Sequence, residues 1–538
     1  MRKTAAVILQ QFLFVLCVIR LFVLLGNGGG MESNMDYILT GKQAKQVDEY
    51  SIQNIGIPSV VLMERAAMAV TEEIIDVTDD EMPVLVLAGV GNNGADGLAV
   101  ARMLSHKGYR FVDVLVIGNE QKATKEWLCQ KNILDHLQIC VRNVSDETAE
   151  EYIKKENYKI VVDALFGIGL TREVKGVFEK VIDQVNQLDA FVVAVDIASG
   201  IHSDLGTVMN TAIMADMTVT FGWQKMGQVF YPGAEYTGKL IVRDIGFPEI
   251  AVELVENKAF TYTKQELELL PYRRSDGNKG SFGKVVIIAG SKNMAGAAYL
   301  SAASAYAIGA GLVKILTVEE NREILQTLLP EAIMTTYNKE EIDWEIIREA
   351  VQFADVIVLG PGLSQADYAG QLVDYVMKMR SVPLILDADG INLLVKSQKW
   401  CYDRKDLIMT PHLGEFSRLT SKSIAQLKEN LPVNVQQFAQ QQGVITVCKD
   451  ARTIVAAKEE PMYINKSGNS GMAVGGSGDV LTGIIAGLIA GGSEPLSASY
   501  LGVYLHGLAG DWVKEQFGEY SMKASDLVQG ICAVTNGK

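Results

Sequence analysis

The chain predicts an α/β fold of two doubly wound domains, and three observations predict it. Short, fully apolar runs alternate with helical patterns along the sequence, as expected of parallel strands buried on both faces. Glycine-rich turns follow several of these runs, and 50 glycines against 12 prolines suit tight strand-to-helix connections. A polar stretch near residues 248–275, including Lys264-Gln265-Glu266-Leu267-Glu268 and Arg273-Arg274-Ser275-Asp276-Gly277, separates two such series. A length of 538 residues and a 48% hydrophobic content are enough for more than one large core.

Residues 42–76 read as two helices, with apolar positions Val47, Tyr50, Ile55 and Ile57, then Val60, Val61, Met63, Ala66 and Ala67, punctuated by Gly56 and Pro58. Strands follow at 84–88, 111–117, 159–163, 191–196, 217–221 and 240–243, with helices between most of them. The boundary falls near 255–265. The second series opens at 283–290 and continues at 312–317, 355–359, 383–387, 406–410 and 444–448. A helix rich in small residues covers 479–491.

Forty-nine basic against 64 acidic residues give a net charge of −15, which argues against a nucleic-acid surface. The six cysteines (Cys17, Cys129, Cys140, Cys401, Cys448, Cys532) form no CxxC pair, and the five histidines lack metal-ligand spacing. Reduced thiols, no zinc and a cytoplasmic setting are expected. Residues 1–34 are an extension with two readings. Arg2 and Lys3 before the apolar stretch 5–25 resemble a signal or membrane anchor, but Gln10, Gln11 and Arg20 interrupt it. The preferred alternative is a start at Met31 or Met35, so a membrane enters only if residues 1–30 are translated.

Three segments fall at strand C-terminal ends, where open α/β sheets bind ligands. The first, Gly89-Val90-Gly91-Asn92-Asn93-Gly94-Ala95-Asp96-Gly97, opens a helix whose N-terminal N–H groups suit an anion. The second is Asp163-Ala164-Leu165-Phe166-Gly167-Ile168-Gly169-Leu170-Thr171-Arg172, and the third Asp196-Ile197-Ala198-Ser199-Gly200. Singly, the asparagines could be turn formers, Asp163 and Asp196 helix caps, and Ser199-Gly200 a plain turn. Together, in order and after strands, they indicate a site. Asn93, Asp163 and Ser199 offer a carbonyl, a carboxylate and a hydroxyl, hard oxygen donors for a cation other than zinc.

In the second half, Asn469-Ser470-Gly471-Met472-Ala473-Val474-Gly475-Gly476-Ser477-Gly478-Asp479 leads into the helix over 479–491. Glycines at a helix N-terminus make an anion hole for a phosphoryl group, and Asp479 beside it can take a proton from a substrate hydroxyl. The bland reading is a capping aspartate on a buried helix.

The Asn-Asn-Gly-x-Asp-Gly motif and residues 56–67 resemble the NAD(P)HX epimerase (YjeF N-terminal) family. The Gly-Gly-Ser-Gly-Asp motif resembles the ribokinase-like superfamily, and within it the NAD(P)HX dehydratase family. The narrower match is carried by Lys279-Gly280-Ser281-Phe282-Gly283, Ala289-Gly290-Ser291, Ala295-Gly296-Ala297-Ala298, Leu359-Gly360-Pro361-Gly362-Leu363, Asp387-Ala388-Asp389-Gly390-Ile391-Asn392, Thr410-Pro411-His412-Leu413-Gly414-Glu415-Phe416 and His506-Gly507-Leu508-Ala509-Gly510-Asp511. The resemblance spans residues 35–538. It implies a Rossmann-like epimerase domain over 35–255 and a ribokinase-like dehydratase domain over 265–538.

For the first domain the resemblance implies a potassium ion on Asn93, Asp163 and Ser199. Substrate contacts fall on Asn92, Asn93, Gly94, Ala95 and Asp96, on Gly167, Ile168, Gly169, Leu170, Thr171, Arg172 and Glu173, and on Asp196. The reaction implied is inversion at the hydroxyl-bearing C6 of NADHX and NADPHX. Asp196 is then the leading acid/base, and Lys225 a second candidate that reads equally well as a solvated loop lysine. In the second domain Ala297, Gly362, His412 and Asp479 are implied to hold the hydrated nucleotide, with Asp479 as base. Lys449, Asp450, Ala451, Arg452, Thr453 and Gly478 are implied to hold the adenine nucleotide, with ADP as phosphoryl donor and Mg2+ on the phosphates. A homo-oligomer is expected, with the helix over 479–491 available to pack on a neighbour.

Three positions depart from the family pattern: Asp450 follows Lys449 where glycine is usual, Ser477 replaces threonine, and Ala198 replaces proline. Simpler roles compete at other positions. His412 could be a cap or core histidine, Asp387 and Asp389 could cap a strand end, and His506 reads as packed. Two whole-chain alternatives stand: a ribokinase-like vitamin or sugar kinase with a nucleotide-binding regulatory domain, and a first half that only binds or dimerises.

Overall fold

The computed structural model describes residues 36–144, 149–155, 157–379, 382–397 and 404–536. The extension over 1–34, Cys17 and Cys401 lie outside the described residues. Among the described residues no helix is long and apolar enough to cross a membrane.

Two sheets organise the chain. The first has seven parallel strands in the order Val141–Val144, Val112–Ile117, Val84–Ala88, Ile160–Ala164, Phe191–Val195, Met217–Phe221 and Lys239–Arg243. The apolar runs have a simple cause. Successive side chains of a strand point to opposite faces, and here both faces are covered: Val84, Val86 and Ala88 enter one core, Leu85 and Leu87 the other. The chain winds outward in both directions from Val84–Ala88 and Ile160–Ala164, so the switch point lies at their C-terminal ends. Gly89 and Leu165 follow those strands, and the helix Asn92–His106 starts beside them. Gly94 is required there, because a Cβ would collide with the Gly89 carbonyl oxygen as the helix closes on the turn.

The second sheet has twelve strands. Its parallel part runs Ile333–Tyr337, Leu312–Val318, Lys284–Ile288, Val356–Leu359, Leu384–Leu386, Leu407–Met409 and Ile445–Cys448. The same alternation recurs, with Val285 and Ile287 in one core and Val286 and Ile288 in the other. Its switch point lies after Lys284–Ile288 and Val356–Leu359.

This sheet does not stop at the expected boundary. It continues through Ile454–Ala456 and Tyr463–Ile464 to Ala259–Thr261, then to Asp36–Leu39 and Gln224–Lys225. Ile38, Met226 and Val229 pack there with Ala259 and Ile464. The first half therefore gives two short strands to the second half's sheet, and the two units are joined by main-chain hydrogen bonds as well as by the connection.

The helix Ser477–Ala490 corrects one expectation. It is buried within its own chain, against Ala295–Ala307 and Pro495–Phe517, rather than offered to a neighbour. A Cβ at Gly483 would strike Ser304 Oγ and the Ser301 carbonyl, so the small residues serve this internal contact.

Candidate functional site

The first site is a cleft of about 850 Å³ at the switch point of the seven-stranded sheet. That volume suits a cofactor-sized ligand. Asn92, Asn93 and Asp96 line it from the first turn of the helix Asn92–His106, and Gly167, Ile168, Gly169, Leu170, Thr171 and Arg172 from the loop after Ile160–Ala164. Asp196 and Lys225 line it too. Three expected contacts lie elsewhere. Gly94 and Ala95 are buried in the helix start behind the lining residues. Glu173 is exposed and paired with Lys175 at 2.8 Å.

Asp163 does not line the cleft. It is fully buried, and its carboxylate accepts N–H groups from Ser199 at 2.7 Å and Leu165 at 3.3 Å. Burial pushes its pKa up to about 6, with hydrogen bonds from Ser199 and Leu165 acting the other way. Around it, Ser199 Oγ accepts the Phe166 N–H at 2.9 Å, and Asn93 Nδ2 donates to the Phe166 carbonyl at 2.9 Å. Carboxylate, hydroxyl and carbonyl oxygens thus converge on one loop, with the Asn93 side-chain amide beside them. Such an oxygen set fits a hard monovalent cation, whose charge would offset the buried carboxylate. No group of three His, Cys, Asp or Glu side chains able to hold a metal occurs among the described residues.

Asp196 sits just after the strand Phe191–Val195 with φ of 64°. A left-handed backbone at a non-glycine residue is uncommon and clusters at functional sites. Its Oδ1 accepts Lys225 Nζ at 2.5 Å and Thr220 Oγ1 at 2.9 Å. Lys225 is buried on the strand Gln224–Lys225, which removes the solvated-loop reading. Asp48, from the helix Gly41–Tyr50, completes the acidic wall. Burial raises the pKa of both Asp96 and Asp48, and neighbouring carboxylates, Asp196 among them, raise each further. Trp223 and Phe247, stacked with centroids 5.8 Å apart, form part of the apolar wall. The sequence reading missed Asp48 and this aromatic pair. A helical acid facing an apolar stripe was the available signal for Asp48.

The second site gathers at the helix Ser477–Ala490. Gly476 caps it with φ of 94°, a conformation that favours glycine, and Asp479 lies in the first turn. Burial raises the Asp479 pKa to about 7, Asp387 adds to the rise, and Lys449 opposes it. Lys449 Nζ donates to Asp387 Oδ1 at 2.7 Å, and Thr410 Oγ1 donates to the same oxygen at 2.6 Å. Asp387 therefore holds a cation at the site rather than capping a strand, whereas Asp389 accepts the Ser364 N–H at 2.9 Å. Burial works against the Lys449 charge, but Asp387, Glu415 and Asp479 together raise its pKa. Gly478 packs close to this ammonium, since a Cβ there would stand 3.1 Å from Lys449 Nζ.

Ala297 and Gly362 face each other at the switch point; a Cβ on Gly362 would stand 3.0 Å from that of Ala297. His412 caps the helix Leu413–Thr420: its Nδ1 accepts the Gly414 N–H at 2.9 Å, and Glu415 closes a capping box. His506 bonds Ser477 Oγ through Nε2 at 3.2 Å, and burial lowers its pKa to about 4, so it is a neutral, packed histidine. The loop 449–453 divides. Lys449 joins the site, Asp450 and Ala451 are exposed, and Arg452 turns to the first unit, donating to the Val229 carbonyl at 3.1 Å. Thr453 Oγ1 bonds the Asp450 carbonyl at 3.4 Å.

The halves match separate families along the lengths that hold these two sites. A model of YjeF-related protein N-termini matches residues 59–227, and one of NAD(P)H-hydrate dehydratases matches 285–532. Relatives matching nearly the whole chain are bifunctional NAD(P)H-hydrate repair enzymes. That of Thermofilum pendens is 34% identical over 90% of this chain and 94% of its own. That of Moorella thermoacetica is 34% identical over 91% and 95%, and that of Escherichia coli 32% over 90% and 90%. With both halves matched in order and along at least 90% of these relatives' length, the chain belongs to the family of bifunctional NAD(P)H-hydrate repair enzymes.

Proposed function

We propose that the cleft at Asp196 and Lys225 interconverts the C6 epimers of NADHX and NADPHX, and that the Asp479 site dehydrates the S epimer with ADP. In the second reaction Asp479 takes the proton of the C6 hydroxyl as that oxygen attacks the terminal phosphoryl group of ADP. AMP leaves, the phosphate ester eliminates, and the reduced nicotinamide is regenerated with release of phosphate. Phosphorylation makes a poor leaving group a good one, which explains the need for a nucleotide. Mg2+, when bound with the nucleotide, supplies charge neutralisation on the phosphates.

The observation that carries this reading is Asp479, a carboxylate with its pKa near neutrality on the first turn of a glycine-capped helix. A base works best when its pKa lies near the working pH, and the helix N-terminus beside it favours an anionic phosphoryl group. Asp479 alone also suits a kinase, so the test is the product. The full chain is given a mixture of both NADHX epimers with ADP or with ATP, and near-ultraviolet absorbance of reduced nicotinamide is followed. Complete conversion is expected, with AMP and phosphate in equal amounts when ADP is the donor. A stable phosphoester in place of reduced nicotinamide would overturn dehydration, and conversion that halts with one epimer left would overturn epimerisation.

Potassium belongs to the same reading, held by Asn93, Asp163, Ser199 and the Phe166 carbonyl. Its role is structural: it anchors the loop 165–172 that lines the cleft. A ligand that binds only the folded state raises the melting temperature by mass action. Potassium chloride is expected to raise Tm by a few degrees over tetramethylammonium chloride at equal ionic strength, and Asn93→Ala to abolish the increment. An identical Tm in the two salts would remove potassium from the site.

A further inference from the structure

The segment 224–229 carries Lys225 into the first site, and both its ends also receive side-chain hydrogen bonds from the second unit. At its start, Lys466 Nζ donates to Gln224 Oε1 at 2.7 Å, and Gln224 and Lys225 pair with Ile38 and Leu39 at the edge of the twelve-stranded sheet. At its end, Arg452 Nε donates to the Val229 carbonyl at 3.1 Å. The Arg452 guanidinium is fixed in turn: Nη1 donates to the Lys466 carbonyl at 3.1 Å, and Cζ lies over the Tyr231 ring, 5.2 Å from its centroid.

Between these anchors the segment is wired to the acid/base pair. The Lys225 N–H donates to Gln228 Oε1 at 2.7 Å, and Gln228 Nε2 donates to the Asp196 carbonyl at 2.6 Å. Lys225 Nζ then meets Asp196 Oδ1. Asp196 is also held by the first unit's own sheet, its N–H donating to the Val219 carbonyl at 2.8 Å and its Oδ1 accepting Thr220 Oγ1, whereas the Lys225 backbone is carried by the strap 224–229.

We propose that Arg452 and Lys466, from the second unit, are positioning residues for the epimerase site, fixing the strap 224–229 and through it the Lys225 ammonium against Asp196. The inference rests on the reading that this pair acts on the substrate. It gives a physical reason for joining the two activities in one chain beyond supply of one epimer to the other site. Arg452 also shares its loop with Lys449, so the strap and the nucleotide site hang from the same five residues. A misplacement of about 1 Å at a reacting group is enough to cost one to two orders of magnitude in rate.

The test uses the full chain with Arg452→Ala, Arg452→Lys, Lys466→Met and Lys225→Met. Epimerisation is measured without nucleotide, from the approach of a single NADHX epimer to the equilibrium mixture. Arg452→Ala and Lys466→Met are expected to lower kcat about tenfold with KM within about twofold, and Arg452→Lys to recover part of the loss. A merely structural role would lower the yield of folded enzyme without this split between kcat and KM. Wild-type kcat in folded Lys466→Met and Arg452→Ala would overturn the inference, as would an Arg452 effect confined to dehydration. If Lys225→Met itself epimerises at the wild-type rate, the underlying reading of the pair fails instead.

Discussion

Asp479→Asn is expected to reduce dehydration by about 10²- to 10⁴-fold, the range lost with a general base, while epimerisation continues at the wild-type rate. The amide keeps the shape of the side chain and removes only its ability to take the C6 hydroxyl proton. Given both epimers and ADP, the variant would equilibrate them and stop. The pH dependence follows from the environment of the carboxylate. A base is active when deprotonated, and burial followed by the charge of Asp387 raises the Asp479 pKa to about 7. The dehydration rate should therefore rise with pH through about 7 and level off above it, rather than near pH 4 where an exposed aspartate titrates. Asp387→Asn has a definite sign. It removes the charge that raises Asp479 and releases Lys449, the cation that lowers it. The rising limb should move to lower pH, and a limb that stayed in place would show that another group sets it. Rate–pH profiles with saturating ADP decide both points.

Most strands of the two sheets were legible because their signal is local; Val141–Val144 and Ile333–Tyr337, edge strands that are only partly buried, were not. A parallel strand buried on both faces must be apolar at every position, as Val84–Ala88 and Lys284–Ile288 nearly are, and the glycines that follow are dictated by close approach. His412, which could be a substrate contact, a cap or a core histidine on sequence, caps the helix Leu413–Thr420 with Glu415 three residues later. What escaped was non-local. Asp36–Leu39 and Gln224–Lys225 are too short to carry a period, and they become strands only because Ala259–Thr261 supplies an edge to extend. Lys225 read equally well as an acid/base or a solvated loop lysine because its partner lies 29 residues away, and a lysine is buried only when paired. Arg452 fell within a loop whose resemblance assigned it to nucleotide, and only the fold shows it reaching the Val229 carbonyl. Local chemistry thus marks where each site lies, while the groups that complete the first site are brought in by long-range pairings.

That distinction bears on the second large effect, at Asp196 and Lys225. Asp196→Asn leaves the Lys225 ammonium buried without its carboxylate and is expected to lower stability by about 3 to 5 kcal/mol, whereas Lys225→Met leaves a carboxylate that faces the cleft and costs less; both are expected to abolish epimerisation. Loss of activity by itself would then say little about chemistry. The double variant Asp196→Asn with Lys225→Met separates the two effects. It buries no unpaired charge, so its Tm should return most of the way to that of the wild type. Its epimerisation should remain about 10²- to 10⁴-fold down, because neither member of the acid/base pair is left to exchange a proton with the C6 hydroxyl. Dehydration of the S epimer should stay close to wild type, since the Asp479 site keeps all its own groups. If Tm and epimerisation recover together, the pair is a structural clamp, and proton transfer falls to Asp96 or Asp48. Burial and neighbouring charge raise both of those carboxylates, which leaves each able to donate a proton at a pH where an ordinary aspartate cannot.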